Sequence, residues 1–226
     1  MPSKQKTLLF LSGFVASIGS FAVICACLGT TEWVSSEVAF KNGNSTGFVT
    51  VEYGLFKGTS VRIVTNGIEA LPVHFQVADI LKDNAKTIHV FVILFLVLGL
   101  LCSFVTSAIT CLNSVSNPYL TFLGPIGVYT WASINAFLVL LVLSLCAANT
   151  EITGVPKLIA ISLDEFNDEF NKSQQTYGYS FWLLLLSMFL NIATIIVIYI
   201  YHHARYSERR EQERPLEKAS QDVILF

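Results

Sequence analysis

Three long stretches of this chain lack charged side chains. No Asp, Glu, Lys or Arg occurs in residues 7–31, 87–150 or 173–204. Charged residues make up 13% of the whole chain, whereas about 25% is usual for a soluble domain. Soluble core helices of this length nearly always carry a charged face, so the absence argues against a large soluble protein with buried helices.

The residue types that transport and catalysis require are also scarce. Within the apolar stretches, the only acidic, basic or histidine side chains are His89, near the start of the second stretch, and His202 and His203, at the end of the third. Transporters, proton relays and voltage sensors need charge at depth. No His-Glu-x-x-His or phosphate-loop motif occurs, so we predict no enzyme, no cofactor and no metal site. The net charge of −2 gives no reason to expect nucleic-acid binding.

Cysteine is missing from the segments that connect the apolar stretches. All five cysteines lie inside the stretches themselves, where a thiolate would be costly. A small extracellular domain stabilised by disulfides needs cysteines that are exposed to an oxidising compartment. This arrangement excludes such a disulfide framework. We expect packing roles for Cys25 and Cys27, and Cys111, near the cytoplasmic end of the second span, is a candidate for palmitoylation.

What the uncharged stretches do contain is a high density of Leu, Ile, Val, Phe and Ala. A helix needs about 20 apolar residues to cross a bilayer core of about 30 Å. The middle stretch fits two crossings, because Asn117-Pro118 and Gly124-Pro125 interrupt it. A signal peptide is the alternative for the first stretch, although no clean A-x-A site follows it. We predict an all-α integral membrane four-helix bundle with spans Leu8–Leu28, Ile88–Cys111, Gly127–Ala148 and Tyr179–Tyr201.

The positive charges predict which way the spans face. Lys4 and Lys6 precede the first span without a neighbouring acid, and arginines follow the last one. Positive charge near span ends stays cytoplasmic, so we expect both termini in the cytoplasm. The only two glycosylation sequons, at Asn44 and Asn171, then fall one in each outer segment, and both are predicted acceptors. The predicted segments are 1–7, 112–126 and 202–226 inside, and 29–87 and 149–178 outside.

The two outer segments differ in their patterns. In the first, β-rich runs separated by turn residues predict a small sheet of two hairpins. In the second, Ser162-Leu-Asp-Glu165 has the spacing of a capping box and predicts the start of a helix. The predicted strands are Val34–Phe40, Phe48–Tyr53, Val61–Thr65 and Val73–Val77, and a short helix over Ala78–Lys86 is expected to lead into the second span.

Polar and small side chains inside the spans predict how the helices pack. Asn135 and Asn191 lie at nearly equal depth, so we predict a hydrogen bond between them. Small residues recur at every fourth position on two helices, which lets helix backbones approach closely. The two predicted stripes are Ser12, Ala16 and Ser20 on the first helix, and Gly99, Ser103, Ser107 and Cys111 on the second.

This layout resembles the claudin and peripheral-myelin-protein superfamily, in which a Trp early in the first loop precedes a Gly-Leu-aromatic motif. Here these are Trp33 and Gly54-Leu55-Phe56. The claudin cysteine pair is absent, and the whole chain is more similar to the clarins, above all to the third paralogue of that family. The clarin-like pieces are Met1-Pro2-Ser3, Gly29-Thr30, Tyr53-Gly54-Leu55-Phe56, Val92-Ile93-Leu94-Phe95, the stretch from Asn117 to Tyr129, and Ser180-Phe181-Trp182.

The resemblance implies a claudin-like tetraspan glycoprotein of the plasma membrane, with a role in sensory cells and actin-rich membrane specialisations. It also implies that Trp33 and Gly54-Leu55-Phe56 anchor the sheet to the membrane rim. Separately, Ile224-Leu225-Phe226 at the carboxyl end fits one class of PDZ ligand.

These features predict a non-enzymatic organiser. It would link an adhesive or partner-binding first outer segment, for which membrane proteins are the expected partners, to a cytoplasmic PDZ scaffold or the cytoskeleton. The alternative is an auxiliary subunit of an ion channel or transporter. The lipid bilayer is the remaining expected partner.

Overall fold

The structure is a computed structural model that describes residues 3–43, 45–65, 69–115, 124–164, 166 and 168–224, with the backbone alone for residues 3, 172, 205 and 208–224. It contains long helices interleaved with short strands. The elements in chain order are α1 (Ser3–Gly29), β1 (Val34–Asn42), β2 (Ser45–Tyr53), β3 (Lys57–Val64), β4 (Val73–Gln76), α2 (Val77–Ile80), α3 (Asp83–Val115), α4 (Pro125–Glu151), α5 (Val155–Ser162), β5 (Glu169–Tyr177) and α6 (Tyr179–Ile224).

Four of these helices are long and apolar enough to cross a membrane, as the uncharged stretches predict. The candidate spans are Lys4–Gly29, Asp83–Val115, Pro125–Glu151 and Tyr179–Ala204. They form a bundle in which α1 packs against α3 and α6, while α4 packs against the same two helices. The chain is therefore a multi-pass membrane protein with a helical bundle.

The buried face of α1 differs from the predicted stripe. Ser20 is buried as predicted, but Ser12 is exposed and Ala16 is only half-buried, and Gly13 and Ser17 are buried in their place. A step of four residues overshoots a full helical turn of 3.6 residues, so a buried line must mix steps of three and four. On α3 the predicted positions Gly99, Ser103 and Ser107 are buried, but Cys111 is exposed for the same reason.

The strands form one antiparallel sheet in the order β4-β3-β2-β1-β5. The first four strands lie where the β-rich runs predict strands, although β3 begins at Lys57 rather than at Val61. The prediction for the second connecting segment is wrong, because α5 ends at Ser162 and β5 then pairs with β1. The Asp164 carboxylate accepts the backbone N–H groups of Phe166 and Asp168 at 3.1 and 2.6 Å, which makes a turn where a helix start is predicted.

The connection from the sheet into α3 is also broken rather than continuous. The predicted helix over Ala78–Lys86 is interrupted after Ile80, and α3 begins at Asp83. Asp83 has a φ of 47°, in the left-handed region that few residues other than glycine adopt. The sheet with α2 and α5, here called the sheet domain, is therefore joined to the bundle by sharp turns.

Candidate functional site

Trp33 lies where α1, the sheet and α6 meet. Its side chain is 1% exposed, and its Nε1–H donates to the Cys27 carbonyl at 2.9 Å. Its backbone N–H donates to the Tyr53 carbonyl at 3.3 Å, and its own carbonyl accepts the Gly178 N–H at 2.9 Å. One residue therefore fastens the end of α1 to the end of β2 and to the start of α6.

The Gly54-Leu55-Phe56 turn fits against this tryptophan. A Cβ on Gly54 would collide with the Thr30 carbonyl, so only glycine permits the close approach of the two chain segments. Leu55 is buried and its carbonyl lies 2.7 Å from His89 Nε2 on α3. Phe56 is 51% exposed, although its carbonyl accepts the Val77 N–H. The structure thus brings Trp33, Gly54 and Leu55 together and leaves the Phe56 ring outside.

Polar side chains complete this region, which we call the junction and define as Trp33, Tyr53, Gly54, Leu55, His89, Asn149 and Thr150. The Tyr53 hydroxyl lies 3.4 Å from Thr150 Oγ1, and burial raises the pKa of Tyr53 far above its ordinary value. Asn149 Nδ2 donates to the Ala85 carbonyl at 3.2 Å. These contacts join the sheet to both α3 and α4 without a formal charge.

Tyr177 marks the edge of the junction at the end of β5. Its hydroxyl donates to Glu151 Oε1 at 3.1 Å. Burial, together with the hydrogen bond and the charge of Glu151, raises the pKa of Tyr177 to about 12. The ring also stacks on Phe181 at a centroid distance of 4.5 Å, so the last strand is tied to the helix that follows it.

Within the sheet domain, a charged cluster holds the two connecting segments together. Arg62 on β3 places a guanidinium nitrogen 2.5 Å from Asp168 and 3.6 Å from Asp164. The guanidinium lies between the rings of Phe40 and Phe166, at 4.1 and 4.5 Å from their centroids. We call these five residues the Arg62 cluster. An inward-facing arginine on a half-buried strand is the signal that could have predicted it.

A cleft of about 400 Å³ opens beside the Arg62 cluster, between β3, the segment before β4 and the end of α5. Three apolar side chains on its lining are exposed: Leu71 at 88%, Phe166 at 61% and Val73 at 51%. Soluble surfaces rarely gather large apolar side chains around a concavity unless something binds there. The arrangement is suited to binding.

Inside the bundle, one polar layer connects α1, α4 and α6. Ser20 Oγ lies 2.7 Å from Ser187 Oγ and accepts a hydrogen bond from Asn191 Nδ2 at 3.1 Å. Asn135 Nδ2 donates to Asn191 Oδ1 at 3.1 Å, which confirms the predicted pairing of the two asparagines. A Cβ on Gly99 would lie 3.1 Å from Asn135 Oδ1, so the glycine of α3 makes room for this amide. All four polar side chains are fully buried.

The remaining predicted residues are spread over the molecule. Asn171 is exposed on β5, whereas Asn44 lies outside the described residues. Ile224 is the last residue of α6, and Leu225 and Phe226 also lie outside the described part. The spacing Gly43-x-Ser45-x-Gly47 matches a serine-hydrolase motif, but it joins β1 to β2 rather than a strand to a helix.

The described part of the chain contains no cluster of side chains that could bind a metal ion. No group of three or more His, Cys, Asp or Glu side chains comes together there. All five cysteines are free thiols, of which Cys27 and Cys102 are buried.

Comparison with known proteins places the chain in a family. A family model described as Clarin-2-like matches residues 4–198. Over the full length of both chains, the protein is 45% identical to Clarin-3 of Mus musculus and 43% identical to Clarin-3 of Homo sapiens. It is 30% identical to Clarin-1 of Homo sapiens over 88% of this chain and 89% of that one. The predicted likeness to the third paralogue is confirmed, and the chain belongs to the clarin family.

Proposed function

We propose that the chain is a non-enzymatic glycoprotein of the plasma membrane that organises membrane and cytoskeletal or junctional assemblies. The observation that carries this proposal is the cleft with Leu71, Val73 and Phe166 on its lining, in a sheet domain fastened to four candidate spans. The proposal includes a claudin-like fold class. The family resemblance extends it to sensory cells.

The proposed topology has both termini in the cytoplasm and the sheet domain outside. Lys4 and Lys6 before the first span support it, because positive charge near span ends stays cytoplasmic. In this topology Asn44 and Asn171 carry the glycans. Asn171 lies six residues before the end of β5, which corresponds to about 20 Å of extended strand and favours access by the glycosylating enzyme.

The glycan assignment has a direct test in cells. Asn44→Gln and Asn171→Gln are each expected to remove one enzymatically removable step of gel mobility, and the double substitution to remove both. Ser114→Ala, on the opposite end of α3 from the sheet, is the control that leaves the mobility unchanged. A wild-type mobility that does not respond to glycan removal would contradict the proposed topology.

The predicted partners bind at opposite ends of the molecule. Exposed apolar side chains beside a concavity support binding of a membrane protein at the cleft. The carboxyl-terminal Ile224-Leu225-Phe226 supports capture by a PDZ scaffold, in which the peptide adds a strand and the carboxylate is held by backbone N–H groups. The apolar faces of the spans contact the lipid bilayer.

Proximity labelling in polarised epithelial cells tests the organiser role. We would compare the wild type, a chain lacking residues 224–226, and a Leu71→Ser, Val73→Ser variant. Phe48→Ser is the matched control, because Phe48 is 53% exposed and neighbours the cleft residue Val49, so it points to the opposite face of the sheet.

The outcomes separate the two functions. Loss of PDZ and actin-linked proteins on truncation, and loss of membrane neighbours in the cleft variant alone, are the expected results. A pore-forming channel or transporter subunit that dominates the wild-type labelling and survives truncation would instead favour the auxiliary-subunit function. Equal effects of the cleft variant and Phe48→Ser would contradict a specific role of the cleft.

A further inference from the structure

A small void lies within the junction, between the end of β2 and the ends of α3 and α4. Its volume is about 10 Å³, and its polar lining comes from Tyr53, His89, Asn149 and Thr150. A void needs roughly 10–15 Å³ of this kind of volume to hold one water molecule. The space therefore admits one water molecule and no larger ligand.

Asn149 supplies the first polar atom in need of a partner. Its side chain is 5% exposed, and Nδ2 donates to the Ala85 carbonyl. That bond fixes the orientation of the amide, because a carbonyl oxygen only accepts. Asn149 Oδ1 is left without a hydrogen-bond partner among the described residues, and a buried acceptor in this state is costly.

The other lining side chains have hydrogen-bonding capacity to spare. His89 Nε2 lies 2.7 Å from the Leu55 carbonyl, so Nε2 carries the hydrogen and Nδ1 of the neutral ring is an acceptor. The Tyr53 and Thr150 hydroxyl oxygens are 3.4 Å apart, whereas about 2.7–2.8 Å is usual for such a pair. Within such a pair only one hydroxyl donates to the other, so Thr150 can donate to the Tyr53 oxygen and leave the Tyr53 hydrogen for a third group.

We propose that one ordered water molecule occupies this void and bridges the sheet to α3 and α4. It donates to Asn149 Oδ1 and to His89 Nδ1, and it accepts from the hydroxyl of Tyr53 or Thr150. Three hydrogen bonds are typical of a buried water molecule. A hard cation fits this site poorly, because it takes about six or more oxygen ligands and the lining offers no carboxylate.

A crystal structure of the full chain in a lipid phase, at a resolution that shows ordered water, tests the proposal directly. We expect a density peak within hydrogen-bonding distance of both Asn149 Oδ1 and His89 Nδ1. In Asn149→Leu, which keeps the side-chain shape without the amide, the peak should disappear while the sheet stays in place. An empty void in the wild type, or a peak that survives in Asn149→Leu, would overturn the proposal.

A double-mutant cycle gives an independent test in solution. Asn149 and Tyr53 are not hydrogen-bonded to each other, so a shared water molecule is the link that should couple them. We expect the melting-temperature shift of Asn149→Leu with Tyr53→Phe to be smaller than the sum of the single shifts by about 2–4 °C.

The control pair is Tyr53→Phe with Ser36→Ala. Ser36 donates to the Gln174 carbonyl and does not line the void, so these two shifts should add. Shifts of Asn149→Leu and Tyr53→Phe that also add would contradict the water bridge.

Discussion

The polar layer of the bundle consists of neutral side chains, whereas the sheet domain buries an ion pair. The layer of Ser20, Asn135, Ser187 and Asn191 consists of hydroxyls and amides that bond to one another and to helix carbonyls. In the Arg62 cluster, Asp168 has a fully buried side chain, and the side chain of Arg62 is 21% exposed. The two regions therefore use different interactions between their buried polar side chains, hydrogen bonds between neutral groups in one and an ion pair in the other.

This difference predicts how each region responds when a substitution removes one side chain of a buried polar interaction. Within a bilayer, amides and hydroxyls find substitute partners in their own helix, so each interhelical bond contributes little. A buried ion loses far more when its counter-ion is removed, because its desolvation is no longer offset. The sheet domain and the junction should therefore be more sensitive to single substitutions than the bundle.

Trp33→Ala should have the largest effect, because it opens a cavity at the point that joins the two regions. We expect a loss of about 3–5 kcal/mol in the free energy of unfolding. A thiol-reactive dye can follow thermal unfolding of the purified protein in a Cys25→Ser, Cys111→Ser background, since those two thiols are exposed whereas Cys102 is free and buried. Trp182→Ala is the matched control, because Trp182 is 57% exposed. Equal destabilisation by the two substitutions would contradict the role of Trp33.

Asp168→Ala should rank second, because it leaves the Arg62 guanidinium with only the more distant Asp164. We expect a loss of about 3 kcal/mol, measured by the same assay. Adding Arg62→Met should recover part of this loss, since the unpaired guanidinium is removed and Asp164 keeps its hydrogen bonds from the backbone N–H groups of Phe166 and Asp168. Glu37→Ala, at an exposed position of β1, serves as the control. A double variant no more stable than Asp168→Ala would argue against charge as the cause.

The asparagine pair should show a much smaller coupling. In a cycle of Asn135→Leu and Asn191→Leu, we expect an interaction energy of about 0.6 kcal/mol and no more than about 1.7 kcal/mol. Thr194 lies on the same helix as Asn191 and bonds only to Leu190 among the contacts described, so Asn135→Leu and Thr194→Val should be additive. A coupling as large as the expected loss in Asp168→Ala would remove the contrast between the two regions.

At neutral pH no effect is expected from the titration of Tyr177, which should act only at alkaline pH. Its pKa is raised from about 10 to about 12, so the folded state holds the hydroxyl proton more tightly than the unfolded state does. This contribution to stability is complete below pH 10 and is lost as the pH rises towards 12. Tyr177→Phe should flatten the fall of the melting temperature over that range, whereas Tyr206→Phe, at an exposed position, should not.

The sequence predicts the spans and most of the sheet because their signals are local. A run of some 20 residues without charge predicts a membrane span. Runs of β-forming residues between turn residues predict the first four strands. The strand β5 was not predictable in this way, since the local pattern at Ser162 favours a helix start. Its pairing with β1, distant in the chain, determines the structure instead. The bond between His89 and Leu55 is non-local in the same sense, although a lone histidine at a span end hints at a partner.

The strand order has a consequence for biosynthesis. β1 lies between β2, which is made directly after it, and β5, which follows the third span. At a synthesis rate of about 5–20 residues per second, the ribosome reaches Glu169 roughly 6–23 s after it leaves Tyr53. Throughout that interval one edge of β1 has open backbone hydrogen-bonding groups, and open strand edges invite pairing with other chains. Until its last strand arrives, the nascent sheet is therefore exposed to pairing with foreign strands.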